Sequence, residues 1–127
     1  VTEIRELGGV PVMVVPAEGE AVVGERQALD LLGDASYRGA SWVALPVERL
    51  GVEFFRLRSG VAGAVVQKFA QYRTGLAVVG DVAGHVAGSD ALRDFVRESN
   101  RGLQLWFVAD LAELGGRLSE PGVIRGS

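Results

Sequence analysis

Ser59 and Gly60 lie between two arginines, Arg56 and Arg58, and a run of small and apolar residues, Val61-Ala62-Gly63-Ala64-Val65. The pattern predicts a helix over Gly60–Arg73 that Ser59-Gly60 opens. A hydroxyl beside free backbone N–H groups, with two guanidinium groups close by, is a place where a phosphate, a carboxylate or a transferable phosphoryl group could sit. The same residues also make an ordinary helix N-cap worth about 1 kcal/mol, with both arginines in water. Gly60, Ala62, Gly63 and Ala64 keep the start of the helix thin. That thinness suits close packing onto a sheet, or a flat groove that admits a partner helix or a second copy of the chain. The candidate anion or partner contact is therefore Arg56, Arg58, Ser59, Gly60 and Gly63.

A second candidate is a rim made by Asp81, His85 and Asp110. Asp81 and Asp110 each follow an apolar strand pattern, and ligands of open parallel sheets bind beyond the carboxyl ends of strands. Two carboxylates there could act as an acid/base pair or hold a hard cation. A turn residue (Asp81) and a helix N-cap (Asp110) explain them well enough without such a role. His85, the one histidine, lies in a glycine-dense loop, Gly80–Gly88, with no His, Asp or Glu at ligand spacing. It reads as part of a mobile loop rather than a metal ligand. The loop is no phosphate loop, because no Lys followed by Ser or Thr closes it and the spacing Gly-x-Gly-x-x-Gly is missing. No cofactor or metal site is expected, and the absence of a complete catalytic constellation argues against an enzyme. Glu98-Ser99-Asn100-Arg101-Gly102 leads into a strand and so belongs to the opposite rim; a helix stop with Asn100 or Gly102 left-handed accounts for it.

The elements that must position these residues follow from periodicity. Thr2–Leu7 alternates and suits an edge strand; Val10–Val15 is nearly all apolar and suits a sheet centre, and Gly8-Gly9 between them is a two-residue hairpin signal. A helix is expected from Val23 to Leu32, with Ala28, Leu29, Leu31 and Leu32 inward and with Gly33 and Gly39 marking its end and the return. Ser41–Leu45 is a strand stopped by Pro46. Leu50, Val52, Phe54 and Phe55 in the following connection must be covered, so a helical turn and a segment lying across the core are expected there. In the Gly60–Arg73 helix, Val61, Val65 and Phe69 with Ala62, Val66 and Tyr72 form one stripe. Thr74-Gly75 ends it, and Leu76–Gly80 is a buried strand. Ser89 caps a helix to about Ser99 with Leu92, Phe95 and Val96 inward. Leu103–Ala109 is the last strand, Asp110 opens a short helix to Leu114, and the tail, above all 118–127, is expected to fray. Trp42 and Trp106 fall on strands, where core packing is expected; an exposed indole would point to an interface.

The order is β-β-α-β-α-β-α-β-α. Each helix between two apolar strands implies a right-handed parallel crossover, and the hairpin makes the first strand antiparallel. The expectation is a single α/β domain over 1–127 with a five-stranded mixed sheet. The chain has 127 residues, of which 48% are hydrophobic and 23% charged, enough for a real core without staples. A net charge of −3 gives no pull toward nucleic acid or an anionic membrane. Zero cysteines exclude disulfides and thiolate chemistry. No apolar run is long enough to span a bilayer and no signal pattern opens the chain, so the cytoplasm is the expected location. Twelve arginines against one lysine suggest a GC-rich bacterial genome.

In this topology, the element order and the helix start Leu57-Arg58-Ser59-Gly60-Val61-Ala62-Gly63 resemble the STAS domain of sulfate transporters and anti-sigma-factor antagonists. In that superfamily an Asp-Ser-Ser-Gly motif opens the same helix, and its serine can be phosphorylated as a partner switch. Here Leu57 and Arg58 replace the Asp and the first Ser, and Pro46 replaces the acidic residue usual at the end of the preceding strand. A kinase that reads those acidic determinants would lose them. A second resemblance covers nearly the whole chain. Phe54-Phe55 with Ser59-Gly60, Gln67-Lys68-Phe69 with Tyr72-Arg73, Leu76–Asp81, Leu92-Arg93-Asp94-Phe95 and Glu98–Gly102 are similar to a small bacterial family known as domain of unknown function 4180. That resemblance implies no activity. The expected function is a cytosolic, STAS-like regulatory or interaction domain that binds a protein partner or itself and accepts an anionic group at Arg56 and Arg58. The competing expectation is a small-molecule or anion binder, or an enzyme, that uses the strand-end rim around Ser59, Asp81 and His85.

Overall fold

The computed structural model describes residues 2–121. Two strands open the chain, β1 (Glu3–Leu7) and β2 (Val10–Val14), paired antiparallel. Gly8 and Gly9 between them both have positive φ, 58° and 82°, as the two-residue turn that matches strand twist requires. Strands β3 (Trp42–Pro46), β4 (Gly75–Val79) and β5 (Leu105–Val108) follow in parallel. The sheet order is β1-β2-β3-β4-β5. The expected α/β architecture with a five-stranded mixed sheet is present.

A sequential order with right-handed crossovers places every crossover helix on one face of the sheet. Met13, Val43, Leu45, Leu76, Val78, Leu105 and Phe107 project to that face. They meet Ala28, Leu32 and Ala35 of α1 (Glu25–Arg38), Phe54 and Phe55 of α2 (Val52–Phe55), Ala62, Val65 and Phe69 of α3 (Val61–Gln71) and Leu92 of α5 (Asp90–Arg101). The opposite face carries Val10, Val12, Trp42, Ala44, Ala77, Trp106 and Val108, under Leu114 and Leu118 of α6 (Leu111–Leu118). Trp42 and Trp106 are both buried there and stack with centroids 4.4 Å apart, the core role expected of them. They fit because their neighbours are small. Gly75 pairs with Trp42 in register, and a Cβ on Gly75 would come within 2.1 Å of the indole.

Several boundaries differ from the expected ones. α1 runs through Gly33 to Arg38 and closes at Gly39, which has φ 77°. Ala35 extends the buried stripe of Ala28 and Leu32 by a further turn, and burial of that face outweighs the roughly 1 kcal/mol cost of an interior glycine. Leu29 lies outside the stripe and is exposed. The end of α3 uses Arg73, with φ 55°, as its left-handed residue, which leaves Gly75 free to start β4 under Trp42. The α5 stop uses no left-handed residue: Gly102 has φ −90°. α6 extends four residues beyond Leu114, and Leu118, where fraying was expected, is fully buried. Residues 122–127 of the expected frayed tail lie outside the described residues.

Candidate functional site

The connection between β3 and α3 forms a 3-10 turn at Val47–Arg49, the one-turn helix α2, and a second 3-10 turn at Leu57–Ser59. Leu50, Phe54 and Phe55 are buried, as expected, but Val52 is 70% exposed. The Gly80–Gly88 segment is a one-turn helix rather than an unstructured loop: α4 spans Ala83–Val86. His85 lies flat against Phe55, centroids 3.8 Å apart and planes 9° from parallel. That stack joins the 52–59 segment to α4. Between them and the start of α5 lies a cleft of about 480 Å³ lined by Val52, Phe55, Arg56, Leu57, Arg58, His85, Ser89 and Ala91.

The cleft brings together residues that the sequence assigned to two separate candidates: Arg56 and Arg58 from the first, His85 from the second. The Arg56 guanidinium is paired with the Glu53 carboxylate at 2.8 Å. Among the described residues Arg58 makes no ion pair, so its charge is available at the cleft wall. Ser89 lines the floor, but its hydroxyl accepts the Leu92 N–H at 3.1 Å and so serves as the α5 cap, as expected.

Ser59 stands one position before the cap that the sequence assigned to it. Gly60 is the α3 N-cap, with φ 80°, a conformation that glycine adopts without strain. The Ser59 hydroxyl donates to the Glu53 carbonyl at 2.6 Å and accepts the Val61 N–H at 3.2 Å, which closes the turn between α2 and α3. Gly63 is exposed, and a Cβ there would meet nothing within 4 Å. Close packing onto the sheet is therefore not what Gly63 provides; its space opens to the outside.

Asp81 lines a different cleft. This one, about 440 Å³, lies beyond the carboxyl ends of β4 and β5, between α4 and α5, with Val82, Val86, Val96 and Phe107 as apolar walls and Asp81 and Arg93 as its charged lining. The Asp81 carboxylate accepts the Ala83 N–H at 2.8 Å and Arg93 pairs with Asp90 at 2.7 Å, so both charges already have local partners. Asp110 belongs to neither lining. It accepts the Glu113 N–H at 2.8 Å as the α6 cap, while the Glu113 carboxylate accepts the N–H of the preceding residue, Ala109, at 2.7 Å. Neither cleft gathers Ser59, Asp81 and His85 together. Among the described residues no group of three or more His, Asp or Glu side chains is placed to hold a metal ion.

Arg49 is a structural residue that sequence reasoning missed. Its guanidinium donates to the carbonyls of Glu20 (2.8 Å), Pro16 (2.9 Å) and Glu18 (3.2 Å), and it packs on Gly19, where a Cβ would come within 2.9 Å. It thereby holds the 16–20 segment against the connection after β3. Beside it, the Glu20 carboxyl is held below the usual carboxylate range, chiefly by the hydrogen bond from Arg26 and then by one from Gln27. No local sequence pattern announces a clamp between residues so far apart. The exposed Val52 and the Phe55 stack did have a signal, the apolar residues Val52, Phe54 and Phe55 beside Arg56-Leu57-Arg58, but the sequence does not say which of these residues faces out.

The family model described as Domain of unknown function (DUF4180) matches residues 7–118, and the chain belongs to that family. The matched region contains both clefts. No match was found among curated proteins or among solved structures. Among the described residues no helix is long and apolar enough to cross a membrane.

Proposed function

We propose that this family member is a bacterial, cytoplasmic, STAS-like interaction domain without catalytic activity, which holds a protein partner in the cleft between the 52–59 segment and the start of α5. The observation that carries this reading is the Phe55–His85 stack, which puts Arg56 and Arg58 beside α4 and α5 and leaves Val52 exposed at the mouth. The complement of such a surface is an anionic group, a carboxylate or a phosphoryl group, next to an apolar side chain. Guanidinium groups favour planar, charge-assisted contacts to such anions, and Val52, Phe55 and Leu57 offer the dry contact beside them. The STAS-like part of the reading is supported by the sequential strand order and by the entry into α3 through Ser59-Gly60. Binding, not modification of Ser59, is the regulatory event in this reading, because the Ser59 hydroxyl is already held on both sides by backbone groups.

Affinity capture from the native host tests the proposal with three variants: Arg58→Glu, Val52→Asp, and Arg97→Glu, whose charge lies on the outer face of α5. Loss of the same associated protein from the first two and its retention by the third is the expected result. Equal capture by all three would contradict the proposal.

A second reading keeps a specific observation in its favour. The cleft at the strand ends has a volume suited to a small molecule and largely apolar walls. A ligand there would move the resonances of Val96 and Phe107 while leaving Val52 and Phe55 unaffected.

A further inference from the structure

The two edges of the sheet are finished differently. On β5 two outward N–H groups are closed by side chains: the Asn100 amide oxygen accepts the Phe107 N–H at 2.8 Å and the Glu113 carboxylate accepts the Ala109 N–H at 2.7 Å. A strand from another molecule would find those donors taken. On β1, Glu3, Ile4, Arg5 and Glu6 are all exposed, and the strand contains neither proline nor lysine, two common blocks to edge pairing.

The ladder between β1 and β2 fixes which β1 groups face outward. Hydrogen-bonded and non-hydrogen-bonded pairs alternate in an antiparallel ladder. Pro11, which has no N–H, pairs with Glu6 and turns its carbonyl to Ser41 at 3.0 Å on the β3 side. Glu6–Pro11 and Ile4–Met13 are therefore the non-hydrogen-bonded pairs, so the N–H and C=O groups of Ile4 and Glu6 point away from the sheet. The side chains of Glu3, Arg5 and Leu7 share the α6 face with Val14, Val12 and Val10, while Ile4 shares the other face with Met13.

We infer that β1 is a self-association edge that takes a second copy of this chain, antiparallel, about a two-fold axis through Ile4. In this register Ile4 pairs with Ile4 of the other copy through its outward N–H and C=O groups. Glu3 then stands opposite Arg5 of the other copy, twice by symmetry, on the α6 face, where the two side chains approach closely. The backbone also permits an axis through Arg5, but that register sets arginine against arginine; an axis through Glu6 sets glutamate against glutamate. Opposite charge selects the Ile4 register, and like charges directly opposite disfavour the others. The Ile4 side chain, 39% exposed, gains an apolar neighbour on the crossover-helix face. The product is a continuous ten-strand sheet, two copies of the five strands of one chain. This edge is separate from both clefts, so its test is independent of the proposed function.

Sedimentation of the full chain at about 0.1 mM and below tests the inference, alongside Ile4→Pro, Glu3→Arg, Arg5→Glu and the double charge reversal. Ile4→Pro removes an outward N–H without breaking a bond to β2. The wild-type chain should dimerise, Ile4→Pro should be monomeric, and each single charge reversal should weaken the dimer by about tenfold. The double reversal should restore it. Mixing Glu3→Arg with Arg5→Glu should give a one-to-one heterodimer, because every cross-strand pair is then again opposite in charge. A wild-type chain that stays monomeric, or a dimer indifferent to these substitutions, would overturn the inference. So would failure of the mixed variants to associate, even if Ile4→Pro did not fold.

Discussion

His85 and Phe55 lie in face-to-face contact, 3.8 Å between ring centroids. This one relationship joins the single turn of α4 to α2 across the candidate surface, beside the packing of Val82 and Val86 on the main core. Phe55 is buried and packs with Phe54 in the main core, so the imidazole rests on a rigid platform. His85→Ala should cost about 1 kcal/mol of stability, and a double-mutant cycle with Phe55→Leu should return a coupling of similar size. Chemical denaturation measures both, and amide exchange in Ala83–Ala87 should quicken in the single variant. A coupling near zero would show that α4 is held by other contacts.

The indole pair makes a sharper demand on one position. A methyl group at Gly75 cannot coexist with Trp42 where it now lies. Gly75→Ala should destabilise the fold by about 1–3 kcal/mol, the range of an overpacked core, and change the near-ultraviolet circular dichroism of the stacked tryptophans. Gly63→Ala, at a glycine with open space around it, should change stability by no more than about 1 kcal/mol, in the stabilising direction.

Arg49 holds three carbonyls with one planar guanidinium. Lysine carries the charge but not the fork, so Arg49→Lys should still lose about 1–3 kcal/mol. Hydrogen exchange should show the loss as faster exchange at Val22, whose N–H bonds to the Arg49 carbonyl, and in the 16–20 segment. Unchanged exchange there would reduce Arg49 to a surface charge.

How far these features could be read from sequence depends on whether their cause is local. The Gly8-Gly9 hairpin, the Ser89 and Asp110 caps and the five strands each rest on a few neighbouring residues, and all were legible. The end of α1 was not, because Gly33 looks like a stop until Ala35 is seen to bury another turn. The cap role of Ser59 moved to Gly60 for a similar reason: two adjacent residues both suit a helix start, and the Glu53 carbonyl decided which was used. Both halves of the candidate cleft were named from sequence, as Arg56 with Arg58 and as His85. Their meeting was not, since it requires the stack of His85 on Phe55 across intervening α3 and β4. Asp81 was legible as a turn residue and Asp110 as a helix N-cap: the Asp81 carboxylate accepts the N–H two residues on, at Ala83, and Asp110 caps α6.

Glu20 gives the pH prediction. Its carboxyl lies below the usual carboxylate range in the folded chain, first through the Arg26 hydrogen bond. A folded-state pKa below the unfolded one stabilises the fold at pH values above the unfolded pKa. The contribution is lost as pH falls through the folded pKa. Arg26→Ala should raise the Glu20 pKa toward the usual carboxylate range, read from its side-chain carbonyl resonance between about pH 2 and 7. An unmoved midpoint would show that Arg26 is not the cause.

The cleft itself is tested most directly with a probe of the proposed chemistry, phenyl phosphate, titrated into isotope-labelled protein and followed by amide shifts. The account predicts saturable shifts at Phe55, Arg58, His85 and Ala91, abolished by Arg58→Glu and unaffected by Arg97→Glu. No saturable shift, or shifts confined to Gly80–Ala83 and Val108–Ala109 at the strand ends, would contradict it.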